Sequence, residues 1–175
     1  MTHADVLKAL GYDLASLTPV MLKTDNIRIS DYMNRPEDLF YGDSYDLRYV
    51  QGAVAETTAH VTLHQGILPT VPADIIDTVL GDYDISEVRI SNIGGWPSPD
   101  GFTTIVGHVC DYDGKLQELH DRLRTLPHID SFPTFMPHVT LAFVRDGACM
   151  PTWLSKLNAV SGRTLQVSGR FYGDH

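Results

Sequence analysis

Apolar positions recur along this chain with two different spacings, which predict a mixed series of strands and helices from about residue 58 onward. Apolar residues at every second position, in runs rich in Val and Thr, predict strands, whereas spacings of three and four predict amphipathic helices. The predicted strands are 58–64, 85–93, 102–109, 138–144 and 164–172, and the predicted helices are 72–80, 114–126 and 151–160.

The order of these elements indicates the class of fold. Strand, helix, strand, strand, helix, strand, helix, strand amounts to two strand–helix–strand units in series, which favours an α+β fold with a sheet in each of two lobes. Residues 1–57 mix turn residues with aromatics and show no regular period, and no low-complexity linker follows them. We therefore expect one domain, 1–175, with an irregular segment at 1–57.

Composition narrows the classes of partner. The 13 Lys and Arg against 22 Asp and Glu give a net charge of −9 with His neutral, which argues against binding to a long duplex but allows a small anionic ligand. Two cysteines, Cys110 and Cys149, do not make a disulfide framework, so we expect free thiols. The chain shows neither an export signal at its start nor an apolar run long enough for a membrane span, so a soluble cytoplasmic protein is expected.

One tetrapeptide occurs twice, at the start of a predicted strand in each unit. His60-Val61-Thr62-Leu63 and His138-Val139-Thr140-Leu141 lie 78 residues apart. Because alternate residues of a strand point to opposite faces, each His shares a face with its Thr while the Val and Leu face a core. If the two units pack with these faces together, two imidazoles and two hydroxyls meet in one cleft.

Two imidazoles and two hydroxyls suit phosphodiester cleavage. Histidine titrates near pH 6.5, so one ring can take a proton from the attacking hydroxyl while the other protonates the leaving oxygen. The Thr hydroxyls can donate hydrogen bonds to the non-bridging phosphoryl oxygens. This chemistry requires no metal ion and no cofactor, and the near-symmetry of the motifs leaves open which His is the base.

The two His-x-Thr motifs, each followed by Leu, resemble those of the 2H phosphoesterase superfamily. The resemblance covers 58–175 and implies a bilobal, pseudo-symmetric fold with two antiparallel sheets and flanking helices around a central cleft. It also implies metal-independent catalysis by His60, Thr62, His138 and Thr140. The superfamily includes 2′-5′ RNA ligase-like and cyclic phosphodiesterases, RNA-trimming enzymes, and phage anti-CBASS nucleases that destroy cyclic oligonucleotide signals.

Small size, acidity and aromatic content favour the anti-CBASS branch and a small cyclic oligonucleotide as substrate. Such a ligand needs flat surfaces for its bases more than many cations. Trp96, on the predicted turn GGWPSPD, is the best candidate for stacking, and Tyr41 and Tyr172 are further candidates. His64 falls on the face of His60 by strict alternation and is a candidate for contact with a phosphate or a base edge.

Three other interpretations stay open. A metal pair formed by His60 and His64 is disfavoured, because a strand holds residues four apart too far from each other for easy chelation. A 2′,3′-cyclic phosphodiesterase that acts on RNA ends would use the same four residues on another substrate. A non-catalytic protein that binds cyclic nucleotides is the third, and retention of both motifs weighs against it. The oligomeric state is not indicated.

Overall fold

The computed structural model describes residues 9, 16–39, 59–82, 85–130, 132 and 134–173. The five predicted strands and three predicted helices are all present, with ends displaced by a few residues. One further strand, Thr18–Thr24, lies in the segment that was expected to be irregular. The elements are β1 (Thr18–Thr24), β2 (His60–Ile67), α1 (Ala73–Leu80), β3 (Glu87–Pro97), β4 (Phe102–Val109), α2 (Lys115–Leu123), β5 (His138–Arg145), α3 (Met150–Leu157) and β6 (Thr164–Tyr172).

The six strands form one closed ring in the order β1-β2-β5-β4-β3-β6, and every neighbouring pair is antiparallel. The expectation of two separate sheets is therefore corrected to a single ring built from two halves, β2-β1-β6 and β5-β4-β3. One seam closes the ring between the first residues of β3 and β6. The other seam joins β2 and β5 through one register pair, Val61 with Val139.

Helix α2 shows how the sequence pattern positions a helix on this ring. Leu116, Leu119 and Leu123 are buried, as their spacing predicts. The Asp111 carboxylate accepts the backbone N–H groups of Leu116 and Gln117 at 2.9 Å each, so two donors of the first turn are satisfied. The buried face of α2 packs against β2 and against α1.

Irregularities in strand pairing change which side chains of β2 and β6 share a face. Along β1, Val20 pairs with His64 and Met21 pairs with Thr62, so β2 holds one extra residue, Leu63. An extra residue reverses the alternation of side chains beyond it. His64 therefore shares the face of Val61 instead of the face of His60.

Another bulge lies in β6. Lys23 pairs with Gly169 and Thr24 pairs with Val167, so Ser168 is the extra residue. The register beyond it puts Phe171 on the face of Met21 and Lys23. None of the described helices is long and apolar enough to cross a membrane.

Candidate active site

The two His-x-Thr motifs lie side by side at the seam between β2 and β5. Val61 and Val139 form the register pair there, and both are completely buried. Around that pair an antiparallel register puts His60 opposite Thr140 and Thr62 opposite His138, all on the half-buried face away from the two valines. Diagonal neighbours in such a pair have Cβ atoms about 7–8 Å apart, which leaves room for one phosphate between the two rings.

His138 is held by the chain just before it. Its Nδ1–H donates to the Met136 carbonyl at 2.9 Å, and this bond leaves the Nε2 lone pair to act as a base. Burial lowers the pKa of His138 from 6.5; the bond to Met136 opposes this shift, and the nearby His108 adds to it. This shift favours the neutral form of His138 at pH 7, which is the form that can accept a proton.

Trp96 and His108 form one wall beside His138. The Trp96 ring lies edge-to-face with His138, with centroids 4.5 Å apart, and 5.7 Å from His108. His108 is the register partner of His138 on β4. A Cβ at Gly94 would lie 2.7 Å from the His108 Nε2, so a larger residue there would displace the His108 ring. Trp96 is thus a half-buried residue of β3, which corrects its expected place on an exposed turn.

Phe171 and Lys23 form the opposite wall, beside His60. The Phe171 ring lies edge-to-face with His60, with centroids 6.1 Å apart. Lys23 is the register partner of His60 on β1, and its Nζ lies 5.6 Å from the centre of the Phe171 ring. Each histidine of the central pair therefore has an aromatic ring beside it, Phe171 in one half and Trp96 in the other.

Tyr172 lies on the other side of the sheet from the two motifs, so its expected place beside them is corrected. The bulge at Ser168 turns Tyr172 toward α1, where its hydroxyl donates to the Asp77 carboxylate. Burial, together with this hydrogen bond, raises the pKa of Tyr172 to about 12. Phe171 takes the place beside the motifs that was expected for Tyr172.

His64 is also turned away from the motifs, because the bulge at Leu63 reverses its face. It is only 4% exposed. The Gly66 N–H donates to its Nδ1 at 2.9 Å, so the ring hydrogen is on Nε2 and donates to Asp130 at 3.1 Å. Burial lowers its pKa from 6.5. Both ring nitrogens of His64 are engaged away from the motifs, so its expected place on the face of His60 is corrected.

His64, His128 and Asp130 together offer three possible metal ligands, all within 4.8 Å of one another. The protonation pattern disfavours a metal ion here, because the His64 Nε2 carries a hydrogen while Gly66 donates to its other nitrogen. Arg124 also holds the Asp130 carboxylate, at 2.8 Å. The group is therefore a hydrogen-bonded cluster that joins His64 of β2 to Arg124, His128 and Asp130, which follow α2.

Tyr41, the remaining candidate for substrate binding, lies outside the described residues. Three residues of the candidate site were not predicted from the sequence: Lys23, His108 and Phe171. Alternation along the predicted strand 102–109 shows which residues share a face with His108. Only the pairing of β4 with β5 shows that His138 lies on that same face. Lys23 and Phe171 are likewise brought to His60 by pairing between distant strands.

Comparison with known proteins shows a shared fold. No protein-family model matches the chain, and no curated protein matches it. Among solved structures the chain is similar to that of Usb1 from Kluyveromyces marxianus, with a TM-score of 0.52 over 91% of this chain and 94% of that chain, at 9% identity. Identity this low shows the fold alone. The chain and Usb1 therefore share a fold over most of their lengths.

Proposed function

We propose that this protein is a metal-independent phosphodiesterase of the 2H type that cleaves 3′-5′ bonds in small cyclic oligonucleotides. The observation that supports this proposal best is the antiparallel pairing of the two His-x-Thr motifs about Val61 and Val139. The resemblance of the two motifs to those of 2H phosphoesterases supports phosphodiester cleavage as the class of reaction. We propose further that the protein acts in the cytoplasm and that it has an anti-CBASS role, in which it degrades cyclic oligonucleotide signals.

The geometry around His138 suggests how the reaction is divided between the two histidines. The neutral Nε2 of His138 takes the proton from a ribose 2′-hydroxyl, whose oxygen then attacks the adjacent phosphorus. The bond from phosphorus to the 5′-oxygen breaks, and protonated His60 gives its proton to that oxygen. The products are a 2′,3′-cyclic phosphate and a free 5′-hydroxyl, and each proton transfer accelerates the reaction by about 10²–10⁴-fold.

Thr62 and Thr140 stabilise the charge that develops on the phosphoryl group. Each hydroxyl lies on the face of the histidines, one on each strand, and can donate to a non-bridging oxygen. Donors fixed in advance on two strands need little reorganisation when the negative charge grows. The two hydroxyls therefore supply the electrostatic part of catalysis, and the two histidines supply the proton transfers.

The walls of the site favour a small ligand with exposed bases. Trp96 and Phe171 stand on opposite sides of the central pair, beside His138 and His60 respectively. Stacking of a base on an aromatic ring contributes about 1–3 kcal/mol. The net charge of −9 disfavours a long polyanion, whereas one proton shared by two imidazoles makes the cleft locally positive. A compact cyclic oligonucleotide meets both conditions.

The substrate is tested by incubating the protein in EDTA with cyclic dinucleotides, cyclic trinucleotides, 2′,3′-cyclic mononucleotides and short RNA. We expect the cyclic oligonucleotides to be consumed fastest. The His60→Ala variant, purified in the same way, controls for contaminating nucleases. Consumption of only the 2′,3′-cyclic mononucleotides or RNA would move the protein to the alternative substrate class. Protection of a bound cyclic oligonucleotide without turnover would make it a binding protein.

A further inference from the structure

We propose that Lys23, held over the Phe171 ring, forms a subsite for a second phosphate of the substrate, next to the phosphate that reacts. This inference rests on the proposed function and names the chemistry of one further contact. It makes the substrate a nucleotide with two phosphates on one nucleoside, as in a cyclic dinucleotide. A ligand with a single phosphate leaves this subsite unused.

Register places Lys23 directly beside His60. The two residues are Cα partners between β1 and β2, on the face that also holds Thr62 and Phe171. Side chains opposite each other in antiparallel strands have Cβ atoms about 4.5–5.5 Å apart. The long side chain of Lys23 therefore reaches past His60 to a group bound next to the reacting phosphate.

The Lys23 ammonium is exposed and held in place. Its Nζ lies 5.6 Å from the centre of the Phe171 ring, within the range of a cation–π contact. Within the part of the chain that the structure describes, no carboxylate forms an ion pair with it. The net charge of −9 means that the protein as a whole does not attract anions. A local cation such as Lys23 is therefore important for the affinity for a second phosphate.

The other half of the site differs at the matching position. His108 on β4 pairs with His138 as Lys23 on β1 pairs with His60, so the two halves offer an imidazole and an ammonium at corresponding places. The subsite thus lies on the side of His60, the proton donor to the leaving 5′-oxygen. The second phosphate is therefore the one on the 3′-oxygen of the leaving nucleoside.

Two competitive inhibitors test this placement. Adenosine 3′,5′-bisphosphate carries both phosphates of the leaving nucleoside, and adenosine 5′-monophosphate carries only the first. Inhibition of cyclic dinucleotide cleavage is measured for the wild type, Lys23→Met, Lys23→Arg and the control Lys156→Met, which changes an exposed lysine on α3. Methionine keeps the contact with Phe171 and removes the charge.

We expect the wild type to bind the bisphosphate about tenfold more tightly than the monophosphate, which corresponds to one charge-assisted hydrogen bond. Lys23→Met should abolish this preference and raise the KM of the cyclic substrate about tenfold while kcat changes little. Lys23→Arg should restore both values, and Lys156→Met should change neither. Equal inhibition of the wild type by both compounds, or an unchanged preference in Lys23→Met, overturns the subsite. Failure of the wild type to cleave any cyclic oligonucleotide would instead reject the proposed function.

Discussion

Replacing Asp130 by alanine removes the acceptor on which the buried His64 depends, and the structure allows the cost to be worked out. Asp130 accepts the His64 Nε2–H at 3.1 Å and pairs with Arg124 at 2.8 Å. The Gly66 N–H occupies the other nitrogen of His64, so the ring cannot change tautomer without losing that bond. The variant therefore leaves a buried N–H without a partner.

Two contributions make up the expected loss of stability. An unsatisfied buried donor costs about 1–3 kcal/mol, and His64 is only 4% exposed. The Arg124 pair adds little, because its side chains are 48% and 37% exposed and solvent screens the charges. We expect Asp130→Ala to lower the free energy of unfolding by about 1–3 kcal/mol.

Urea unfolding at pH 7, followed by far-UV circular dichroism, measures this loss. Asp130→Asn is the matched control, because its carbonyl oxygen can still accept the His64 hydrogen and only the ion pair is lost. We expect that variant to lose less stability than Asp130→Ala, because the exposed ion pair with Arg124 contributes little. If the free energy of unfolding of Asp130→Ala is within about 0.5 kcal/mol of the wild-type value, the hydrogen bond from His64 to Asp130 does not stabilise the fold, and the reasoning is refuted.

The same residue makes stability depend on acid. Arg124, with a smaller contribution from the His64 hydrogen bond, lowers the pKa of Asp130 from 3.8 to about 2. A carboxyl group with a depressed folded-state pKa stabilises the protein above its unfolded value and loses that contribution as the pH falls. The part of the stability that is lost between pH 4 and pH 2 should therefore be smaller in Asp130→Ala than in the wild type.

Three further predictions concern the candidate active site. Gly94→Ala should lower kcat about ten- to a hundredfold in a folded protein. The new Cβ would lie 2.7 Å from the His108 Nε2 and would displace the wall beside His138. A wild-type kcat with unchanged circular dichroism would contradict this. The kcat/KM of the wild type should fall as the pH is lowered, with an apparent pKa below 6.5, because His138 has a lowered pKa and must be neutral to act as the base. A fall in kcat/KM with an apparent pKa of 6.5 or above would contradict that role. Trp96→Ala should raise the KM for a cyclic oligonucleotide about 5- to 150-fold through lost stacking, and an unchanged KM would reject its contact with a base.

Local pattern in the sequence was sufficient for most of the fold. Spacing of apolar residues predicted α2 through Leu116, Leu119 and Leu123, and the same signal predicted five of the six strands. The strand β1 was missed because its apolar run is short and its ends are polar. The closing of the ring was missed because it depends on pairing between β3 and β6, which lie far apart in the chain.

Errors at the candidate site have a common physical source. Strict alternation put His64 beside His60, but one extra residue at Leu63 turns it to the opposite face. The extra residue Ser168 likewise sends Tyr172 to α1 and Phe171 to the motifs. A bulge depends on the register with a neighbouring strand, so a period read along one strand does not show it. The repeated tetrapeptide avoided this difficulty, because both of its His and Thr residues precede the bulge.

The central claim is that His60 and His138 act together on one phosphate, and the cleavage rates of His60→Ala and His138→Ala test it most directly. Both rates are measured in EDTA at saturating cyclic dinucleotide, after circular dichroism has shown that each variant is folded. We predict that each variant is slower than the wild type by about 10²–10⁴-fold. Wild-type rates in both folded variants would contradict the proposed active site.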